Sequence, residues 1–112
     1  MKIFHNPRCS KSRQGLAILE DSNLEFEIIQ YLKNPPGKKE LGEILQLLQM
    51  KPIDLVRKNE AIWKENFKGK DLSDDEVIDA MVNYPKLIER PIVINGDKAA
   101  LGRPPENIKD IL

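Results

Sequence analysis

The chain contains a single cysteine, Cys9. One cysteine cannot close an internal disulfide or build a cysteine-based zinc site, and no metal is expected. The expected compartment is a reducing cytoplasm. Net charge is also missing, since 18 Lys and Arg are balanced by 18 Asp and Glu. That balance argues against a nucleic-acid partner held by bulk charge. No apolar run approaches the roughly 20 residues of a membrane helix, and the first residues lack the apolar region of an export signal. At 112 residues there is no room for a second substantial core. With 40% hydrophobic and 32% charged residues, one soluble globular domain over 1–112 is expected. Acidic residues are absent from the first 19 positions, which carry Lys2, Arg8, Lys11 and Arg13. Cys9 therefore lies in a cationic stretch of a neutral protein.

What is present reads as an α/β pattern. Lys2-Ile3-Phe4-His5 is a short strand stopped by Asn6-Pro7. A helix over 10–20 follows, weakened by Gly15 by about 1 kcal/mol relative to Ala. A second strand over 25–31 makes a βαβ unit, so the two strands should be parallel. Asn34-Pro35-Pro36-Gly37 is a strong break. Leu41, Ile44, Leu45 and Leu48 then mark an amphipathic helix. Pro52 opens a short helix running through Leu55-Val56-Arg57, and 60–67 adds one or two turns. Ser73-Asp74-Asp75-Glu76 is a capping box, with Leu72 and Val77 as a hydrophobic staple. The helix it starts should bury Val77, Ile78, Met81 and Val82. Residues 91–94 form a strand, Asn95-Gly96 a hairpin turn, and 98–101 its antiparallel partner. Pro104-Pro105 opens a last helix that turns Ile108, Ile111 and Leu112 inward. The order predicts a four-stranded mixed sheet with a helical subdomain inserted at about 36–84.

Cys9 follows a strand and precedes a helix. Unpaired N–H groups and the macrodipole at a helix N-terminus favour an anion, so the thiol should ionise below its free value of about 8.5. Arg8, Lys11 and Arg13 are expected to add to this. The alternative, a cysteine buried as a small hydrophobe, fits a segment with almost no apolar neighbours badly. Ser12 stands where a dithiol motif has its second cysteine. A redox cycle here must therefore recruit an outside thiol, and anionic glutathione suits the cationic setting. His5 is a base for Cys9 or a residue that orients the loop, at even weight.

Outside the N-terminal stretch the arginines are Arg57, Arg90 and Arg103. Arg90 precedes a strand, Arg103 precedes Pro104-Pro105, and Arg57 closes a short helix. Three planar forks beside a helix N-terminus would bind phosphate, sulfate or arsenate. Separate ion pairs, each worth about 0–1 kcal/mol, are the equally weighted alternative.

Five segments together resemble one family. They are His5-Asn6-Pro7-Arg8-Cys9-Ser10-Lys11-Ser12-Arg13, Tyr31-Leu32-Lys33-Asn34-Pro35-Pro36, Val56-Arg57-Lys58, Glu89-Arg90-Pro91-Ile92-Val93 and Gly102-Arg103-Pro104-Pro105. In order and spacing they are similar to the glutaredoxin-coupled arsenate reductases, over essentially the whole chain. The likeness is greatest to a short, YfgD-like subgroup without a C-terminal extension. The resemblance implies a thioredoxin-like fold with a helical insertion and a cis peptide before Pro91. It implies Cys9 as nucleophile, His5 near the thiol, and an oxyanion site made by Arg57, Arg90 and Arg103 with Cys9, Ser10, Lys11 and Ser12. It also implies arsenate as substrate, glutathione as co-substrate with no bound cofactor, and glutaredoxin as partner. A monomer without a membrane partner is expected.

Two other readings are compatible with these residues. A regulator resembling the Spx proteins would bind RNA polymerase, but redox-switched members carry Cys-x-x-Cys and lack the Gly-Arg-Pro element. A thiol oxidoreductase acting on glutathionylated proteins would use Cys9 and leave the three arginines without a task.

Overall fold

The computed structural model describes residues 1–112, which divide into two compact units. One unit joins residues 1–34 to 90–112, and the other is residues 35–89.

The first unit is built on β1 (Lys2–Phe4), α1 (Ser10–Asp21), β2 (Glu27–Ile29), β3 (Ile92–Asn95) and β4 (Lys98–Leu101). The sheet order is β2-β1-β3-β4. β1 runs parallel to β2 and antiparallel to β3, and β3 pairs antiparallel with β4. This is the mixed four-stranded, thioredoxin-like sheet that the pattern predicts. β1 is central, and both Ile3 and Phe4 are buried. Ile3, Leu19, Val93 and Ile108 form a buried cluster flanked by Met1, Leu16, Ile18, Phe26 and Ile111.

α1 buries Ser12, Gly15 and Leu19, a face with one large apolar side chain. Gly15 is therefore a packing position rather than a mere weakness of the helix. A Cβ there would lie 2.7 Å from Cγ of Pro91 and 2.9 Å from Cδ1 of Ile108. Gly102 meets the same two atoms at the same distances. The helix and the turn after β4 approach closely because neither has a side chain at that point.

Several elements differ from the pattern. β2 covers only Glu27–Ile29, because residue 30 begins a turn in which the Gln30 carbonyl accepts from the N–H groups of Lys33 and Asn34. The two-residue hairpin loop is Gly96-Asp97, one position later than the Asn-Gly signal, and Gly96 has φ +63°. That is the place where a II′-type turn takes glycine. The last helix is a 3₁₀ segment, Pro105–Ile111, which buries Ile108 but leaves Leu112 exposed. With three residues per turn, it cannot carry 108, 111 and 112 on one face.

The second unit holds α2 (Lys38–Leu48), α3 (Ala61–Asn66) and α4 (Asp74–Asn83). α2 buries Leu41, Ile44 and Leu45, and α4 buries Val77, Ala80 and Met81. In α4, Ala80 takes a buried place predicted for Ile78 and Val82, which are half-buried, because 77, 80 and 81 share one helical stripe. The capping box is complete: the Glu76 N–H donates to Ser73 Oγ, and the Ser73 N–H donates to Glu76 Oε1. Trp63 stacks on Phe67 with centroids 5.3 Å apart, and Tyr84 meets Phe67 edge-on at 6.0 Å. Pro52–Leu55 is a 3₁₀ turn, after which Val56 bridges Ile88 in an antiparallel pair. Arg57 therefore follows an extended bridge and does not close a helix. No helix of the protein is long and apolar enough to cross a membrane.

Candidate functional site

β1 ends beside the start of β3, because Phe4 is paired with Ile92. The loop leaving β1 and the residues entering β3 thus share one end of the sheet. The loop carries Cys9, and the entry to β3 carries Arg90 and Pro91. Their closeness follows from strand register, although Cys9 and Arg90 are 81 positions apart.

Cys9 occupies the N-cap of α1 with extended backbone, φ −97° and ψ 125°. Its carbonyl accepts from the Arg13 N–H at 3.0 Å, and its own N–H donates to the Asn6 carbonyl at 3.0 Å. The thiol is half-buried and free. Partial burial by itself pushes its pKa up. That effect is outweighed by the Ser12 N–H, the charge of Arg90, the Lys11 N–H and a hydrogen bond from the Arg90 side chain. The net result is a thiol held below its ordinary value. The helix N-terminus acts as expected. Among side chains it is Arg90, 81 positions away, that supplies both a charge and a hydrogen bond to the sulfur.

Ser12 is fully buried. Its Oγ accepts from the Asn6 N–H at 2.9 Å and lies 2.7 Å from His5 Nδ1. His5 is buried, and desolvation lowers its pKa, with the charge of Arg13 acting the same way against a raising bond from Ser12. The net direction favours the neutral ring. His5 is thus placed against Ser12 and the loop. Ser12 offers the site its N–H and keeps its hydroxyl inside, so that hydroxyl is withdrawn from the expected substrate set. Ser10 and Lys11 are exposed on the first turn.

Sequence reasoning passed over Asn6. Its N–H bonds Ser12, its carbonyl takes the Cys9 N–H, and its Oδ1 accepts from the Arg8 N–H at 3.0 Å. Arg13 closes the same loop by donating from Nη1 to the Pro7 carbonyl at 2.9 Å. An Asn followed by Pro is a turn signal that pointed to this role.

The Arg90–Pro91 peptide is cis, and so is Arg103–Pro104. Arg103 Nη1 donates to the Arg90 carbonyl at 3.3 Å, so these two arginines join the Cys9 end of the sheet. Arg57 belongs to the other unit. Its Nη1 donates to Glu60 Oε1 at 2.7 Å, its Nε lies 3.5 Å from Glu89 Oε1, and its N–H donates to the Leu87 carbonyl at 2.7 Å. For Arg57 the ion-pair arrangement is the one present. No three His, Cys, Asp or Glu side chains gather into a group that could hold a metal ion.

The model of the ArsC family matches residues 4–111. The chain belongs to the ArsC family. Among ArsC-like relatives, "Uncharacterized protein YfgD" of Escherichia coli K12 is 44% identical over 114 residues, covering 100% of this chain and 96% of that protein. An arsenate reductase of Neisseria meningitidis serogroup B is 41% identical, covering 100% of this chain and 97% of its own. The solved arsenate reductase from Vibrio cholerae superposes with a TM-score of 0.93 at 43% identity, covering 100% of this chain and 98% of that one.

Proposed function

We propose that this protein reduces arsenate to arsenite in a reducing cytoplasm, with Cys9 as nucleophile and glutathione and glutaredoxin as the source of electrons. The observation that carries the reading is the Cys9 thiolate facing the Ser12 and Lys11 N–H groups and the Arg90 side chain. That arrangement suits both a nucleophile and the oxyanion it attacks. The names of the Neisseria meningitidis and Vibrio cholerae relatives point the same way.

Arg90 reaches the thiol and Arg103 bonds the Arg90 carbonyl, and in this reading the two offset the repulsion between thiolate and arsenate. Arg57 is the third member of the oxyanion set. This assignment rests on the family, and substitution decides it. Cys9 sulfur bonds to arsenic as one arsenate oxygen leaves as water. A glutathione thiol then attacks the adduct. Its sulfur joins Cys9 in a mixed disulfide, and the electron pair of the sulfur–arsenic bond passes to arsenic, which leaves as arsenite. A glutaredoxin thiolate takes the glutathionyl group and restores Cys9. Because Ser12 replaces a resolving cysteine, no internal disulfide competes.

The test is an NADPH-coupled assay with glutathione, glutaredoxin and arsenate, run beside a control lacking arsenate. Arsenate-dependent NADPH oxidation is expected, and Cys9→Ser abolishes it while the fold is retained. Equal NADPH oxidation with and without arsenate refutes the reading and favours general thiol exchange.

A further inference from the structure

Arg8, Lys11 and Arg13 flank Cys9 in the loop and the first turn of α1 and are exposed. None pairs with a carboxylate, whereas Lys38 pairs with Asp79 and Arg57 with Glu60 and Glu89. Arg13 spends one nitrogen on the Pro7 carbonyl. Arg8 is anchored by its backbone N–H alone, to Asn6 Oδ1, so its side chain is not needed by the loop. In a chain with no net charge, three cations close in sequence and without a carboxylate partner form a local field beside Cys9. The first carboxylate in sequence, Glu20, is two turns further along α1 on an exposed face. Such a field steers a partner of opposite sign and sets its orientation, with gains in association rate of about 10–10³ at low salt.

We propose that Arg8, Lys11 and Arg13 form the docking rim for a protein thiol reductant whose surface around its own cysteine is acidic. This deepens the proposed function, since it presumes that a protein thiol restores Cys9. In the step served, the reductant's thiolate attacks the glutathione sulfur of the Cys9 mixed disulfide. A new disulfide forms between reductant and glutathione, and Cys9 leaves as thiolate. A small anion needs only the N–H groups and Arg90 at the sulfur. An outward, unpaired rim is of use to a partner that covers it.

The test starts from Cys9 converted to its mixed disulfide with glutathione disulfide, so it needs no arsenate and stands whether or not arsenate is the substrate. Loss of the glutathionyl group is followed by intact mass with three reductants: an acidic glutaredoxin, free glutathione and uncharged dithiothreitol. Arg8→Glu should slow the acidic glutaredoxin at least tenfold at low salt, with Arg8→Ala lying between. The difference should shrink as salt screens the field. Dithiothreitol should react with wild type and variants within a factor of two, which also shows that the loop is intact. An unchanged glutaredoxin rate overturns the proposal. An equal slowing by all three reductants overturns it as well, since the effect would then lie in the loop. Slowing of glutathione alone assigns the rim to a small anion and overturns it too.

Discussion

Arg90 does for Cys9 what its sequence neighbours do not. In alkylation with a neutral reagent, the rate–pH midpoint for Cys9 should lie below that of a free thiol, about 8.5. Arg90→Ala should move the midpoint upward and slow the reaction at pH 7, because both a charge and a hydrogen bond leave the sulfur. Arg90→Lys should restore part of the shift, since charge returns without the planar fork. An unshifted midpoint in Arg90→Ala would show the helix N-terminus acting alone. His5 makes a second prediction at this scale. Its folded pKa lies below the ordinary 6.5, so the unfolded chain takes up the proton first as pH falls. The stability tied to neutral His5 is complete above 6.5 and is lost as pH drops through the lower folded value. Urea midpoints measured between pH 7.5 and 5 should fall for wild type and fall less for His5→Gln. Cys9 was legible because it is unique and sits between a strand and a helix. The task of Arg90 was not, because a guanidinium reaching across strands leaves no trace in local spacing.

Two helix glycines show how differently one residue type acts within an element. Gly42 lies inside α2 with nothing within 4 Å of a Cβ placed there. Gly42→Ala should stabilise the protein by about 0.5–1 kcal/mol through the lower backbone entropy of the unfolded chain. Gly15→Ala in α1 forces a methyl against Pro91 and Ile108, and should destabilise by about 1–3 kcal/mol. Chemical denaturation of the two variants checks both signs, and a stabilised Gly15→Ala would mean that the contact yields freely. Helix propensity ranks the two glycines together, so the sequence could not tell them apart. It could give the α4 cap, because Ser73 and Glu76 act within one turn. The same locality explains β2: Phe26-Glu27-Ile28-Ile29 alternates like a strand, but Gln30 accepts two turn bonds and ends it early.

Across the whole molecule, the mixed sheet followed from the connections, since a strand–helix–strand unit is parallel and a two-residue loop is antiparallel. The placing of β1 beside β3 in the order β2-β1-β3-β4 did not, because 35–89 stand between them in the chain. Arg57 marks the limit of that reasoning. Its place on a bridge to Ile88, between Glu60 and Glu89, comes from packing inside residues 35–89, which no periodicity records. Replacing Arg57, Arg90 and Arg103 singly by Ala separates the two meanings of arginine here. Sulfate inhibition and turnover should weaken for Arg90 and Arg103 by about 1–3 kcal/mol each. For Arg57, a loss of stability without loss of sulfate affinity would make it an ion-pair residue only.

Because Cys9 precedes Arg90 by 81 positions, the two are made at different times. A ribosome delivers the cysteine with the first turn of α1 and then adds the whole of 35–89 before the arginine exists. Until β3 pairs with β1, the thiol lacks the guanidinium that acts on it in the finished fold. The thiol therefore gains one of the groups that lower its pKa, the Arg90 side chain, only with the last fifth of the chain. A nascent or truncated polypeptide carries a less activated cysteine, and only a completely translated molecule exposes a fully activated one to oxidants.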